Sequence, residues 1–171
     1  MAGRDPMVPF DEVDLAHVIA ALETVRRYNR QRYEFEQLTA SVFEDPERMV
    51  CVGYTDLTDD EFWVRGHLPG MPVMPGVMMC EAAAQLCSYY SAKLGYINDD
   101  QVLGFGGMEE IRFRETVRPG SRLVVMAEKV RHRQGIMIVS RFQEFVDQTL
   151  VCDGMIKGVA LPRDVLKAAS S

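Results

Sequence analysis

The segment from Pro75 to Gly95, PGVMMCEAAAQLCSYYSAKLG, constrains this chain more than any other. Between Gly76 and Ala92 its one ionisable carboxylate or amine is Glu81, and every face is otherwise apolar or small. A helix without a polar face has to be enclosed by other structure. Pro75 suits the first turn, where a missing N–H is no loss, and Gly95 suits the end, so the spacing predicts one helix over about 75–94. The run is short for a bilayer-spanning helix, so the enclosure has to come from the rest of the chain.

The rest of the chain is rich in β-prone runs. Residues 35–42 and 49–54 flank a turn at Glu44, Asp45 and Pro46, and further strands are predicted at 102–116, 121–133, 136–146 and 149–160. Breaks at Pro119-Gly120, Gln134-Gly135 and Asp147-Gln148 suggest antiparallel strands joined by tight turns. Val18, Ile19, Leu22 and Val25 have the offsets of one helical face and predict an N-terminal helix over about 11–32. The expectation is one α+β domain over residues 1–171, a long antiparallel sheet wrapped around one central helix, with 1–9 and 163–171 fraying.

Composition narrows the function. Nineteen Lys and Arg against 25 Asp and Glu give a net charge of −6, against a protein whose whole surface grips nucleic acid or anionic lipid. The apolar fraction of 47% and charged fraction of 26% are those of an ordinary globular domain. Cys51, Cys80, Cys87 and Cys152 form no C-x-x-C pair and have no His at zinc-finger spacing, so no metal site is expected. The first residues have no apolar run behind a basic flank, so the expected setting is a reducing cytoplasm with free thiols.

Glu81 needs an explanation, because a carboxylate on an apolar helix is costly to bury unless paired, hydrogen-bonded or protonated. It either faces solvent or a subunit interface, or bonds Gln85 one turn on, or is a carboxyl whose pKa burial raises so that it serves as a general acid. Just upstream, RGHLPGMPVMPG holds His67 in a loop whose Gly and Pro density specifies one backbone path into the helix. The free N–H groups and positive dipole end of that helix can stabilise an oxyanion. His17 and His132 read as surface residues. A base, an acid and an oxyanion donor are therefore available in one short stretch.

Those residues carry a resemblance. GHLPGMPVMPGVMMCEAAAQ (66–85) resembles the signature of the hot-dog-fold 3-hydroxyacyl-[acyl-carrier-protein] dehydratases of the FabZ type, roughly GHFPxxPxMPGVxxxEAxAQ. IRFRETVRPG (111–120) and RYEF (32–35) resemble two further family segments, so the likeness runs from about 32 to 161. The isomerising branch has Asp at the acid position and Trp before the closing Gln, whereas this chain has Glu81 and Ala84-Gln85, which favours dehydration alone. Leu68 replaces the usual Phe, Gln31 stands where His is frequent, and Ser121 follows PG where Asp is usual. The segment 44–61 is unfamiliar.

The resemblance implies a hot-dog fold and a homodimer, or a trimer of dimers, with each site built from His67 of one protomer and Glu81 of the other. It implies that neutral His67 takes the C2 proton, the Gly76 N–H polarises the thioester carbonyl, and protonated Glu81, oriented by Gln85, donates to the departing hydroxyl. No cofactor is implied, since the substrate arrives on the phosphopantetheine of acyl carrier protein. Met71, Met74, Met78 and Met79 either contact the acyl chain or fill the core, and Trp63 is expected beneath the loop. Arg65, Arg112, Arg114, Arg118 and Arg122, with Arg131 and Arg133, are candidates for a patch that attracts the acidic carrier. The alternatives are a hot-dog acyl thioesterase and a non-catalytic acyl-carrier-binding subunit of a hetero-oligomer.

Overall fold

The computed structural model of the chain describes residues 5–164. Its elements are β1 (Ala20–Ala21), α1 (Leu22–Tyr28), β2 (Ala40–Asp45), β3 (Val50–Asp56), α2 (Gly76–Lys93), β4 (Gln101–Phe113), β5 (Arg122–Arg133), β6 (Met137–Val146) and β7 (Thr149–Pro162). The strands form one antiparallel sheet in the order β1-β2-β3-β5-β6-β7-β4. It curls around α2, the α+β hot-dog arrangement.

The helix is enclosed because its sequence leaves no alternative. Met78, Met79, Ala82, Ala83, Leu86, Tyr89 and Tyr90 are buried, and they join Leu38, Cys51, Leu123, Val125, Phe142 and Val151 in one core cluster. Gly53 lets the helix approach β3 closely, since a Cβ there would come within 3.0 Å of a Leu86 methyl. The far end of α2 is tied down by Glu44, whose carboxylate accepts from the Tyr89 hydroxyl at 2.7 Å and from Lys93 Nζ at 2.6 Å.

Several expectations are corrected. The N-terminal helix spans Leu22–Tyr28, not 11–32. The β-branched pair Val18-Ile19 precedes an extended stretch instead: Ile19 N–H donates to the Ser41 carbonyl, and β1 pairs with β2. Pro119-Gly120 is not a hairpin turn, because β4 leaves the β5 side entirely and pairs with β7. The Asp147-Gln148 turn does join β6 to β7, with both residues at positive φ as a tight hairpin demands.

Residues 5–9 do not fray. Val8 is fully buried, Met7 N–H donates to Gln143 Oε1, and Phe10 meets Phe145 edge-on at 5.2 Å. This strap covers a second apolar cluster, including Val42, Val52, Tyr54, Val124 and Met126, on the sheet face away from α2. Arg163 N–H donates to the Asp100 carbonyl. The remaining residues expected to fray, 1–4 and 165–171, lie outside the described ones.

Candidate active site

His67 sits where the loop folds back against α2. Its N–H donates to the Trp63 carbonyl at 2.7 Å, its carbonyl accepts from Val73 N–H at 2.9 Å, and ring Nδ1 lies 2.7 Å from the Val73 carbonyl oxygen. A carbonyl can only accept, so Nδ1 carries the hydrogen, and in the neutral ring Nε2 is the nitrogen with the lone pair. The imidazole is exposed but held in the tautomer a base needs. Trp63 is buried in the main core beneath the loop, as expected.

Pro75 caps α2, and its carbonyl accepts the first helical bonds, from Met78 and Met79. Gly76 is the first helical residue, so its N–H precedes the helical ladder. The ring of Phe113 lies on the Gly76 α-carbon, where a Cβ would come within 2.8 Å of it. Only glycine permits that approach.

Glu81 is half-buried, and its Oε1 accepts from Gln85 Nε2 at 2.7 Å and from Gln31 Nε2 at 3.3 Å. Gln85 is buried; its Oε1 accepts the Gln37 N–H at 2.9 Å and its Nε2 also donates to the Phe35 carbonyl at 2.6 Å. Asn29, at the end of α1, donates to the Gln85 carbonyl at 2.9 Å, which anchors the segment bearing Gln31 over the helix. Both donors go to Oε1, and Oε2 has no hydrogen-bond partner among the described residues.

Glu81 and Gln31 open onto a cleft of about 80 Å³ between α2 and strands β4, β6 and β7. Its apolar lining comes chiefly from Leu103, Phe105, Ile138 and Ile156, which the sequence reading had not singled out. The methionines do not line it: Met74, Met78 and Met79 are core residues and Met71 is exposed on the loop. Within one protomer no hydrogen bond joins His67 to Glu81, and His67 does not line the cleft.

Cys80 of α2 and Cys152 of β7 are both buried, and the fully buried Glu144 lies opposite Cys152 in the β6–β7 register. Burial holds the Glu144 carboxyl well above the usual carboxylate range, which favours its neutral form. Burial likewise pushes the Cys87 thiol up to about 12. All four cysteines are free thiols. Of the arginines, Arg114 pairs with Asp153 and Arg122 with Asp56, each at 2.6 Å, and Arg122 also stacks on Tyr54. Arg65 and Arg118 are exposed without an ion-pair partner among the described residues. Nor do the described residues contain a helix long and apolar enough to cross a membrane.

The FabA-like domain family matches residues 30–155. The chain is 38% identical over 113 residues to the 3-hydroxyacyl-[acyl-carrier-protein] dehydratase FabZ of Syntrophotalea carbinolica, covering 66% of this chain and 76% of the relative. It is 36% identical over 135 residues to the FabZ of Thiobacillus denitrificans, covering 77% and 91%. Among solved structures, the dehydratase heterocomplex ApeI:P of Xenorhabdus doucetiae aligns with a TM-score of 0.69 at 15% identity, covering 86% of this chain and 97% of that one. The fluoroacetyl-CoA thioesterase FlK aligns at 0.59 and 12%, covering 71% and 91%, which speaks to fold alone. The sequence matches extend across the loop bearing His67 and the helix bearing Glu81, and this chain belongs to the FabZ-type 3-hydroxyacyl-[acyl-carrier-protein] dehydratase family.

Proposed function

We propose that this protein dehydrates (3R)-3-hydroxyacyl chains on acyl carrier protein to trans-2-enoyl-[acyl-carrier-protein] in fatty acid biosynthesis, with His67 and Glu81 as its catalytic residues. The observation that carries the reading is the fixed hold on both groups: the Val73 carbonyl holds His67 by Nδ1 and leaves Nε2 unbonded, and Gln85 holds Glu81 by Oε1 and leaves Oε2 unbonded.

The reaction breaks a C2–H and a C3–O bond. His67 Nε2 takes the C2 proton, and the electron pair left behind forms the C2–C3 double bond. Glu81 Oε2–H protonates the departing hydroxyl, which leaves as water; the net transfer of one proton from imidazolium to carboxylate resets the pair. The Gly76 N–H, at the positive end of α2, stabilises negative charge growing on the thioester oxygen. Acid, base and donor all belong to the chain, so the chemistry calls on no resident cofactor. The phosphopantetheine arm arrives as part of the substrate.

The separation of His67 from the cleft within one protomer supports a site completed by a second copy. In this reading the protein is a homodimer, or a trimer of dimers, with His67 of one protomer facing Glu81 of the other across edge strand β4. Phe105, Met108 and Phe113 on that strand are exposed apolar side chains that a partner would cover. The carrier, being acidic, would meet Arg65 and Arg118. Free thiols suit a cytoplasmic setting. Incubating the purified protein with 3-hydroxybutyryl-[acyl-carrier-protein] tests the activity. Enoyl product is expected, and release of the free acid would favour a thioesterase.

A further inference from the structure

Gln31 is held beside Glu81 by the residues on either side of it. Asn29 is buried and donates through Nδ2 to the Gln85 carbonyl of α2 at 2.9 Å. Arg32 turns its guanidinium back along the chain. Its Nη1 donates to the Asn29 carbonyl at 2.9 Å and to the Gln31 carbonyl at 2.6 Å, and its Nη2 to the Arg26 carbonyl at 3.0 Å. From this pinned segment Gln31 Nε2 reaches Glu81 Oε1 at 3.3 Å.

That bond fixes which way the amide faces. Glu81 Oε1 already accepts from Gln85 Nε2, so a Gln31 oxygen set against it would oppose acceptor to acceptor. With Nε2 on Glu81, Gln31 Oε1 accepts no hydrogen bond among the described residues, and both side chains line the same cleft. An amide oxygen carries two lone pairs for a donor that enters there.

A 3-hydroxyacyl chain brings such a donor. Its hydroxyl oxygen takes the proton of Glu81, and its own O–H hydrogen gives up a water partner on binding unless the cleft supplies an acceptor. The hydroxyl-bearing side chains of the cleft are Ser88 and Ser140. Ser88 lies seven residues along α2, an advance of about 10 Å, and Ser140 is buried on β6. Gln31 stands next to the acid itself.

We propose that Gln31 recognises the substrate hydroxyl, its Oε1 accepting the 3-hydroxyl hydrogen while Glu81 Oε2 faces the same oxygen. This rests on the dehydratase reading, which brings that hydroxyl to Glu81. Gln31 exchanges no proton. As the C3–O bond breaks and its electron pair goes to oxygen, the departing water keeps its own hydrogen on Gln31 and carries the second one from Glu81. An acyl chain without the hydroxyl leaves Oε1 unpaired, so Gln31 separates 3-hydroxyacyl chains from saturated ones.

The test is binding of (3R)-3-hydroxybutyryl- and butyryl-[acyl-carrier-protein] in which an amide replaces the thioester, leaving C2–H too weakly acidic to react. Calorimetric titration gives a ratio of dissociation constants within each protein, in which a loss common to both ligands cancels. The parent is expected to favour the hydroxylated chain by about fivefold or more, the scale of one net hydrogen bond. Gln31→Met, which keeps the length and loses both polar atoms, and Gln31→Ala are each expected to lower that preference about fivefold. Gln31→Met is expected to do the same in Glu81→Gln protein, where the acid is already gone. A preference unmoved by both substitutions, or unmoved in the Glu81→Gln background, overturns the contact and leaves the dehydratase reading intact. Turnover of 3-hydroxybutyryl-[acyl-carrier-protein] by the parent tests that reading separately, and its absence overturns the reading and the contact with it.

Discussion

Gln85 Nε2 donates to Glu81 Oε1 at 2.7 Å, and the amide that does so cannot be turned over. Its oxygen is held by the Gln37 N–H and its nitrogen by the Phe35 carbonyl, so a flipped amide would face a donor with a donor and an acceptor with an acceptor. The buried backbone therefore decides which Glu81 oxygen is occupied. Gln85→Leu removes that control and leaves two backbone groups unpaired, each at a cost of about 1–3 kcal/mol. The expected outcome is a lower melting temperature together with a fall in kcat larger than any change in KM, seen by thermal unfolding and steady-state kinetics.

Glu144 makes stability depend on pH. Burial raises its folded-state pKa above an unfolded value of about 4.3, so the stability it permits is fully present below that pH and is lost as pH rises toward the folded pKa. Glu144→Gln cannot ionise in either state. Its melting temperature relative to the parent is expected to climb as pH rises above about 4.3 in scanning calorimetry, and a constant offset at every pH would contradict a carboxyl whose pKa burial has raised.

The N-terminal strap contributes to the fold from the face away from α2. Phe10→Ala removes the edge contact to Phe145 and is expected to cost about 1–2 kcal/mol in denaturant unfolding. Catalytic parameters at low denaturant should stay put, because the strap and α2 lie on opposite faces of the sheet.

A site shared between protomers has an arithmetic signature. Co-assembled His67→Ala and Glu81→Gln chains give, in each mixed dimer, one site with both groups and one with neither. Random two-fold mixing of two inactive proteins should thus recover about a quarter of the parent activity. Recovery of none would place both groups of each site in the same chain.

How much was legible in the sequence follows from where each signal lies. α2 was readable to within a residue or two, because Pro75, Gly95 and an uninterrupted apolar run all agree. The strands of the second half were readable from turn residues, while the crossing of β4 to β7 was not, since strand order depends on long-range pairing. The N-terminal helix misled because Val18 and Ile19 fit one helical face as well as one extended strand, and pairing with Ser41 decided between them. The Glu81–Gln85 bond was legible at i,i+4 spacing. The His67 tautomer was not, because it rests on the Val73 carbonyl, a backbone group with no mark in the sequence. Nor were Leu103, Phe105, Ile138 and Ile156, whose β alternation gives no sign that the space before them is open.

The most direct test is kcat/KM for 3-hydroxybutyryl-[acyl-carrier-protein] dehydration by the purified parent, His67→Ala and Glu81→Gln proteins, each shown by its circular dichroism to be folded. Loss of a single acid–base group should lower the value by about 10²–10⁴-fold in either variant. Near-parental activity in either one would contradict the account.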